Sequence, residues 1–274
     1  MKFILFFIGI WLLSIILDPY FTQLQLEKNQ YDTQMQLEKN QYNCDSGNLK
    51  RCINLGLMYS SDSKKDYVKA LKYFKKACDG EEFKGCHRLG SIYSNSNTET
   101  DKNKGLQFST KACNGGHGGA CYILGMKYQF AKGEEEDYVK ALNFFTKAYE
   151  AGEVDAYYNI GMIYSVGSKE VEIDYDKALK FFIKACNSGD YMTCYKVGLE
   201  YSFNSIGIKI DHNKAFKYFK KACDGGELDG CSALGEMYSQ GIGRNKDDDK
   251  ASELFQKVED GRSDDNNIFR DRGY

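Results

Sequence analysis

The chain has 274 residues, with 37 lysines and arginines against 39 acids and a formal net charge of -2. That balance leaves no electrostatic footprint for DNA or RNA, so nucleic acid is excluded as a partner. A single proline and 27 glycines argue against strand-and-turn architecture and for helices punctuated by glycine, which makes a repeat array the first organisation to test.

The chain opens with MKFILFFIGIWLLSIILDPY, one lysine and then fifteen apolar or small residues from Phe3 to Leu17. A charged start followed by an apolar core is the pattern of an export signal. The run is shorter than the roughly 20 residues of a membrane span, yet no small-x-small cleavage site follows Leu17. Residues 1–20 are expected to be a signal peptide or an uncleaved signal anchor. The rest is then exported, periplasmic or secreted, with membrane contact only through this segment. Next come LQLEKNQYDTQ and MQLEKNQYNC, an eleven-residue duplication that makes 21–43 a helical cap on the following array or a spacer.

From residue 44 the text repeats. CINLGLMY, CHRLGSIY, CYILGMKY, YYNIGMIY, CYKVGLEY and CSALGEMY place Gly56, Gly90, Gly125, Gly161, Gly198 and Gly235 at intervals of 34 to 37 residues. That period means six stacked supersecondary units over 44–260. Each unit continues with a second segment, from DYVKALKYFKKAC to DDDKASELFQKVE. In the first, Ala70, Tyr73, Phe74 and Ala77 fall at i, i+3, i+4 and i+7, the stripe of an amphipathic helix, with Lys69, Lys72, Lys75 and Lys76 turned to solvent. The leading aspartate suits an N-cap or a first-turn acid, and a closing glycine such as Gly226 suits a C-terminal stop. Each unit is thus a helix A carrying LGxxY, a loop of variable length, and a helix B carrying KAxxxF. The recurrent glycine inside helix A suggests close backbone approach between helices.

The turn from helix B to the next helix A never changes length, and it is bracketed by cysteines eight positions apart. Cys44/Cys52, Cys78/Cys86, Cys113/Cys121, Cys186/Cys194 and Cys223/Cys231 account for all ten; one copy carries Tyr149 and Tyr157 instead. An exported chain with an even cysteine count reads as a disulfide framework, and antiparallel helices joined by a tight turn bring Cα atoms within disulfide reach. Five structural staples are expected, with no cofactor and no metal. The polar tail, 261–274, is expected to be disordered.

LGxxY, the DxxKA opening of helix B and the KAC-x7-C turn together resemble the SLR (Sel-one-like) repeat, a relative of the tetratricopeptide repeat, in its cysteine-rich Hcp-type secreted bacterial subfamily. The resemblance covers about residues 36–260. It implies an all-α fold, a right-handed α/α superhelical solenoid of about six disulfide-stapled helix pairs with a concave groove. It also implies two lines of function: engagement of host proteins, or penicillin binding and β-lactamase activity, hence β-lactams as ligands.

The residues themselves assemble no catalytic set. The S-x-x-K match from Ser61 to Lys64 lies in a variable loop with no K-T-G or S-D-N elsewhere, and His87, His117 and His212 fall in different units. His117 is expected to sit exposed in a glycine-rich turn. Binding is the better reading. The positions directly after the second cysteine and four further on share one side of helix A, giving Tyr122/Met126, Tyr158/Met162 and Tyr195/Leu199. They form either a ladder lining a groove for a protein, peptide or cell-wall fragment, or packing against the neighbouring repeat. A monomer is expected.

Overall fold

A computed structural model describes residues 2–61, 66–130, 137–203 and 208–271, with side chains described only between 22 and 262. Among the described residues every regular element is helical. In chain order these are α1 (Lys2–Asp45), α2 (Leu49–Ser61), α3 (Tyr67–Asp79), α4 (Phe83–Ser94), α5 (Glu99–Asn114), α6 (Gly118–Gln129), α7 (Tyr138–Glu150), α8 (Ala156–Val166), α9 (Tyr175–Asn187), α10 (Tyr191–Phe203), α11 (His212–Asp224), α12 (Leu228–Gln240) and α13 (Asp248–Asp271). They fall into two compact units, 1–108 and 109–274. Within each unit helices pack in chain order, A on B and B on the next A, which is the packing of a solenoid.

The apolar run expected as a signal or anchor begins α1, and its side chains lie outside the described residues. Among the described residues no helix is long and apolar enough to cross a membrane. The expected disordered tail likewise falls almost wholly on undescribed side chains, although the backbone of α13 runs to Asp271.

The LGxxY glycine makes room for a ring. A Cβ on Gly56 would collide with Phe74, and on Gly125, Gly161, Gly198 or Gly235 it would stand 2.5 to 2.8 Å from a ring carbon of Phe145, Phe182, Phe219 or Phe255. The close approach inferred from sequence is therefore glycine to phenylalanine in five repeats. The second repeat differs: Ser109 stands where the others have that phenylalanine, and a Cβ on Gly105 would lie 3.1 Å from the Gly90 carbonyl oxygen, so there the backbones themselves approach.

The LGxxY tyrosine is held between two groups of helix B. Tyr59, Tyr93, Tyr128, Tyr164 and Tyr201 stack on Tyr73, Phe108, Phe144, Phe181 and Tyr218 with ring centroids 5.5 to 6.2 Å apart. The lysine of DxxK lies over the same tyrosine in all six repeats, 4.9 to 5.5 Å from its centroid. Its own aspartate caps the helix: Asp66, Asp137, Asp174 and Asp211 each accept from the backbone N–H three residues on. That lysine, through its backbone N–H at Asp66, Asp174 and Asp211 and through its ammonium at Asp101, Asp137 and Asp247, holds these carboxyls below the usual range. The backbone N–H groups of Asp66, Asp137, Asp174, Asp211 and Asp247 then donate to Tyr59, Tyr128, Tyr164, Tyr201 and Tyr238 carbonyls at 2.9 to 3.0 Å. Five of the six variable loops are thus pinched shut at the base, so their length can change without disturbing the helix pair; in the second repeat the Asp101 N–H donates to the Thr98 hydroxyl instead.

The lysines read as solvated are consequently structural in part. A second set, the lysine before the Ala-Cys or Ala-Tyr pair, reaches back to the end of α1 or of the preceding helix B: Lys76 to Asp45, Lys147 to Asn114 and Lys221 to Asn187, at 2.7 to 3.3 Å.

Candidate ligand-binding groove

The five disulfides join Cys44–Cys52, Cys78–Cys86, Cys113–Cys121, Cys186–Cys194 and Cys223–Cys231, with Cα atoms 4.4 to 4.8 Å apart. In each, the first cysteine ends one helix and the second begins the next, as in α11 and α12. All ten are buried, and none is left as a thiol. This takes cysteine out of any catalytic or metal-ligating role.

The turn owes its shape to one left-handed residue three positions after the first cysteine. Gly47, Gly116, Gly189 and Gly226 have φ between 85° and 104° there; at the second turn that place is held by Glu81, with φ 66°. The stop residue of α11 is therefore Gly225, and Gly226 is the residue that reverses the chain. His117, expected to be merely exposed, caps α6 instead, its Nδ1 accepting from the Ala120 N–H at 3.2 Å.

The predicted ladder sits in the second unit. Tyr122, Tyr158 and Tyr195 are half-buried, each tilted against the phenylalanine that fills the glycine notch: Phe145, Phe182 and Phe219, at 5.6 to 5.8 Å. Tyr158, Met162, Tyr195 and Leu199 pack on the unit's core around Phe182, Val197, Phe219 and Leu234. Met126 accepts at its sulfur from the buried Asn159 amide at 3.3 Å. One edge of every rung is thus committed to packing, and the other edge stays accessible.

Charge alternates along these rungs. Burial, then the carboxylates of Asp155 and Glu153, pushes the Tyr122 phenol up. At Tyr158 the Lys196 ammonium donates to the phenol oxygen at 2.7 Å and lies 4.5 Å from the ring centroid. Burial again leads at Tyr195, followed by Asp229, Glu236 and Glu227, and again raises the phenol.

The last rung, Tyr195 and Leu199, lines a cleft of about 470 Å³ between α10, the start of α11, and α12, which the first two rungs do not reach. Tyr195, Leu199 and Phe203 form its apolar side, with Asp229, Glu236 and His212 supplying polar groups. Phe203 is 72% exposed, so its ring is available at the edge of the cleft. Asp229 is also within 3.5 Å of Arg262 on α13. Such a lining suits an extended chain carrying a basic, partly apolar side chain.

Sequence reasoning found Tyr195 and Leu199 but missed Phe203, Asp229 and Glu236. Glu236 holds the Leu199 register in the last repeat, so continuing the ladder one unit further would have reached it. Of the S-x-x-K match, Ser61 donates to the Met58 carbonyl at 3.4 Å, and Lys64 lies outside the described residues.

The sequence matches the Sel1 repeat family six times, over 52–81, 84–117, 119–153, 154–190, 192–227 and 228–257. Among solved structures, a protective antigen of uropathogenic Escherichia coli strains displaying an SLR fold is 24% identical with a TM-score of 0.64, covering 81% of this chain and 48% of that one. The chain therefore spans about half that antigen's length. A Sel1 repeat protein from Oxalobacter formigenes is 24% identical with a TM-score of 0.61, covering 82% of this chain and 99% of that one. These two show a shared fold. Helicobacter pylori cysteine rich protein B is 34% identical over 49% of this chain and 97% of its own, with a TM-score of 0.38. No curated protein matches the chain.

Proposed function

The chain belongs to the Sel1 repeat family, whose members generally mediate protein–protein interaction, and we propose that it is an exported binding scaffold for an extended, basic peptide or peptide-bearing cell-wall fragment. The observation that carries this reading is the α10–α12 cleft, where Tyr195, Leu199 and Phe203 meet the carboxylates of Asp229 and Glu236. A lysine or arginine stem would lie along the rings, with its cation at the carboxylates. The Tyr122 and Tyr158 rungs would carry the rest of the ligand.

Five disulfides suggest an oxidising compartment, which supports periplasmic or secreted residence. The KAC-x7-C turn supports placement in the cysteine-rich Hcp-type branch. β-Lactam turnover, implied by that resemblance, is favoured by no arrangement of described side chains, so binding is the reading retained.

The test is titration of the oxidised full chain with fluorescent extended peptides of basic, neutral and acidic composition, by anisotropy. Basic peptides should bind most tightly, with affinity falling as salt rises. Glu236→Gln should weaken them about fivefold, as loss of one charge-assisted contact does. Equal affinity for all three compositions would overturn the reading. So would robust hydrolysis of a chromogenic cephalosporin that persists through purification.

A further inference from the structure

We propose that α1 pairs with α1 of a second copy of this chain as a parallel, in-register helix pair, through Leu24, Tyr31, Met35 and Tyr42. This departs from the monomer expected from the sequence. The argument starts from the eleven-residue duplication. Eleven residues at about 100° each make three turns plus about 20°, so duplicated positions fall on one face. Leu24 and Met35 are one such pair, Tyr31 and Tyr42 the other, and all four lie within a sector of about 40°.

That stripe has no partner among the described residues. The opposite face of α1 is the one turned to α2: Asn40 and Cys44 are buried there, and the Asn40 amide donates to the Met58 sulfur and accepts from Arg51, both at 3.4 Å. Leu24, Tyr31, Met35 and Tyr42 are 44%, 65%, 49% and 76% exposed. Residues 22–36 are exposed all round, and a helix so bare gains too little from its own hydrogen bonds to persist in water.

The edges of the stripe say what covers it. Glu27 and Glu38 line one side, eleven residues apart, each accepting from a glutamine four residues earlier, Gln23 and Gln34. Lys28 and Lys39 line the other, also eleven apart and exposed. When two identical helices pair in parallel, the acidic edge of each faces the basic edge of its partner along both sides. An antiparallel pair sets acid against acid and lysine against lysine. A helix lying on a lipid surface would want cations on both sides of the stripe instead. The pattern therefore selects a second copy, in parallel, and the eleven-residue period gives the pair a slight right-handed wrap.

Sedimentation equilibrium of the full oxidised chain in density-matched detergent tests this, with unchanged helical circular dichroism as the check that the array is intact. Wild type should sediment as two chains of 31.2 kDa. Glu27→Lys with Glu38→Lys makes both edges basic, and Lys28→Glu with Lys39→Glu makes both acidic. Each variant alone should dimerise about tenfold more weakly or worse, a mixture of the two should pair, and the fourfold exchange should restore the homodimer. All variants keep residues 2–21, so association through the apolar run would survive in every one. The proposal is overturned if the wild type is a single chain, if the Glu27→Lys, Glu38→Lys variant associates as tightly as wild type, or if only the mixture pairs, the antiparallel result.

Discussion

The turn from α7 to α8 and the turn from α11 to α12 leave the first helix by the same backbone path but differ in cross-link and in where the next helix starts, α12 two residues after Gly226 and α8 four after Gly152. At the stapled turn Gly226 donates to the Cys223 carbonyl at 3.1 Å and Glu227 to Ala222 at 3.0 Å; at the unstapled one Gly152 donates to Tyr149 at 3.0 Å and Glu153 to Ala148 at 2.9 Å. Gly226 and Gly152 sit at φ 95° and 92°. Where the disulfide is missing, Tyr149 and Tyr157 lie 5.5 Å apart with Phe181 beside both, and Lys184 stands 4.9 to 5.7 Å over all three rings. Its counterpart at the α11–α12 turn, Lys257 on α13, donates instead to the Cys223 carbonyl at 3.1 Å. The difference teaches that backbone hydrogen bonds and a left-handed residue make the turn, and that the disulfide or the ring cluster then reinforces it.

The largest effect expected on this comparison is full reduction. Each bridge closes a loop of sequence separation 8, worth at most about 2.6 kcal/mol on the loop-entropy argument. Thermal melts with and without reductant should therefore differ more than for any substitution below, and amide exchange should rise at Gly226 and Glu227 while Gly152 and Glu153 change little. Equal increases at both turns would break the comparison. Next, Tyr149→Ala with Tyr157→Ala should cost about 3 kcal/mol by denaturant titration, since two half-buried rings and their contacts are lost. A cost below about 1 kcal/mol would mean that the cluster reinforces nothing.

A smaller effect should come from Tyr149→Cys with Tyr157→Cys. A sixth disulfide should form, seen as a loss of two hydrogens by mass spectrometry, with a net gain well below about 2.6 kcal/mol because the rings are removed. Free thiols at both positions would show that this turn's geometry is not that of its neighbours. Smallest is Glu81→Gly, which should raise stability by about 1 kcal/mol by relieving a left-handed glutamate, while Gly226→Ala should lower it by about as much.

Much of this was legible before any coordinates. Helix pairs, their order and the aspartate caps follow from period and capping chemistry, because both depend on residues close in sequence. The lysines are exposed, as read, but their second role, with Lys69 over Tyr59 and Lys76 on Asp45, arises only across helices and so was not legible. The ladder positions could be named from their spacing, but their division into a packed edge and an open edge could not, because it depends on where Phe145, Phe182 and Phe219 arrive from the facing helix.

Local chemistry in the sequence determined the repeat, its glycine notches and the fixed turn, because each is decided within one helix pair by spacing and by which residues tolerate φ near 90°. Only the tertiary structure decided that Phe203, Asp229 and Glu236 share a cleft, and that the face of α1 carrying Tyr31 and Met35 points away from α2. Those facts depend on how one helix pair rotates onto the next, a sum of many weak side-chain contacts that no single stretch of the chain encodes.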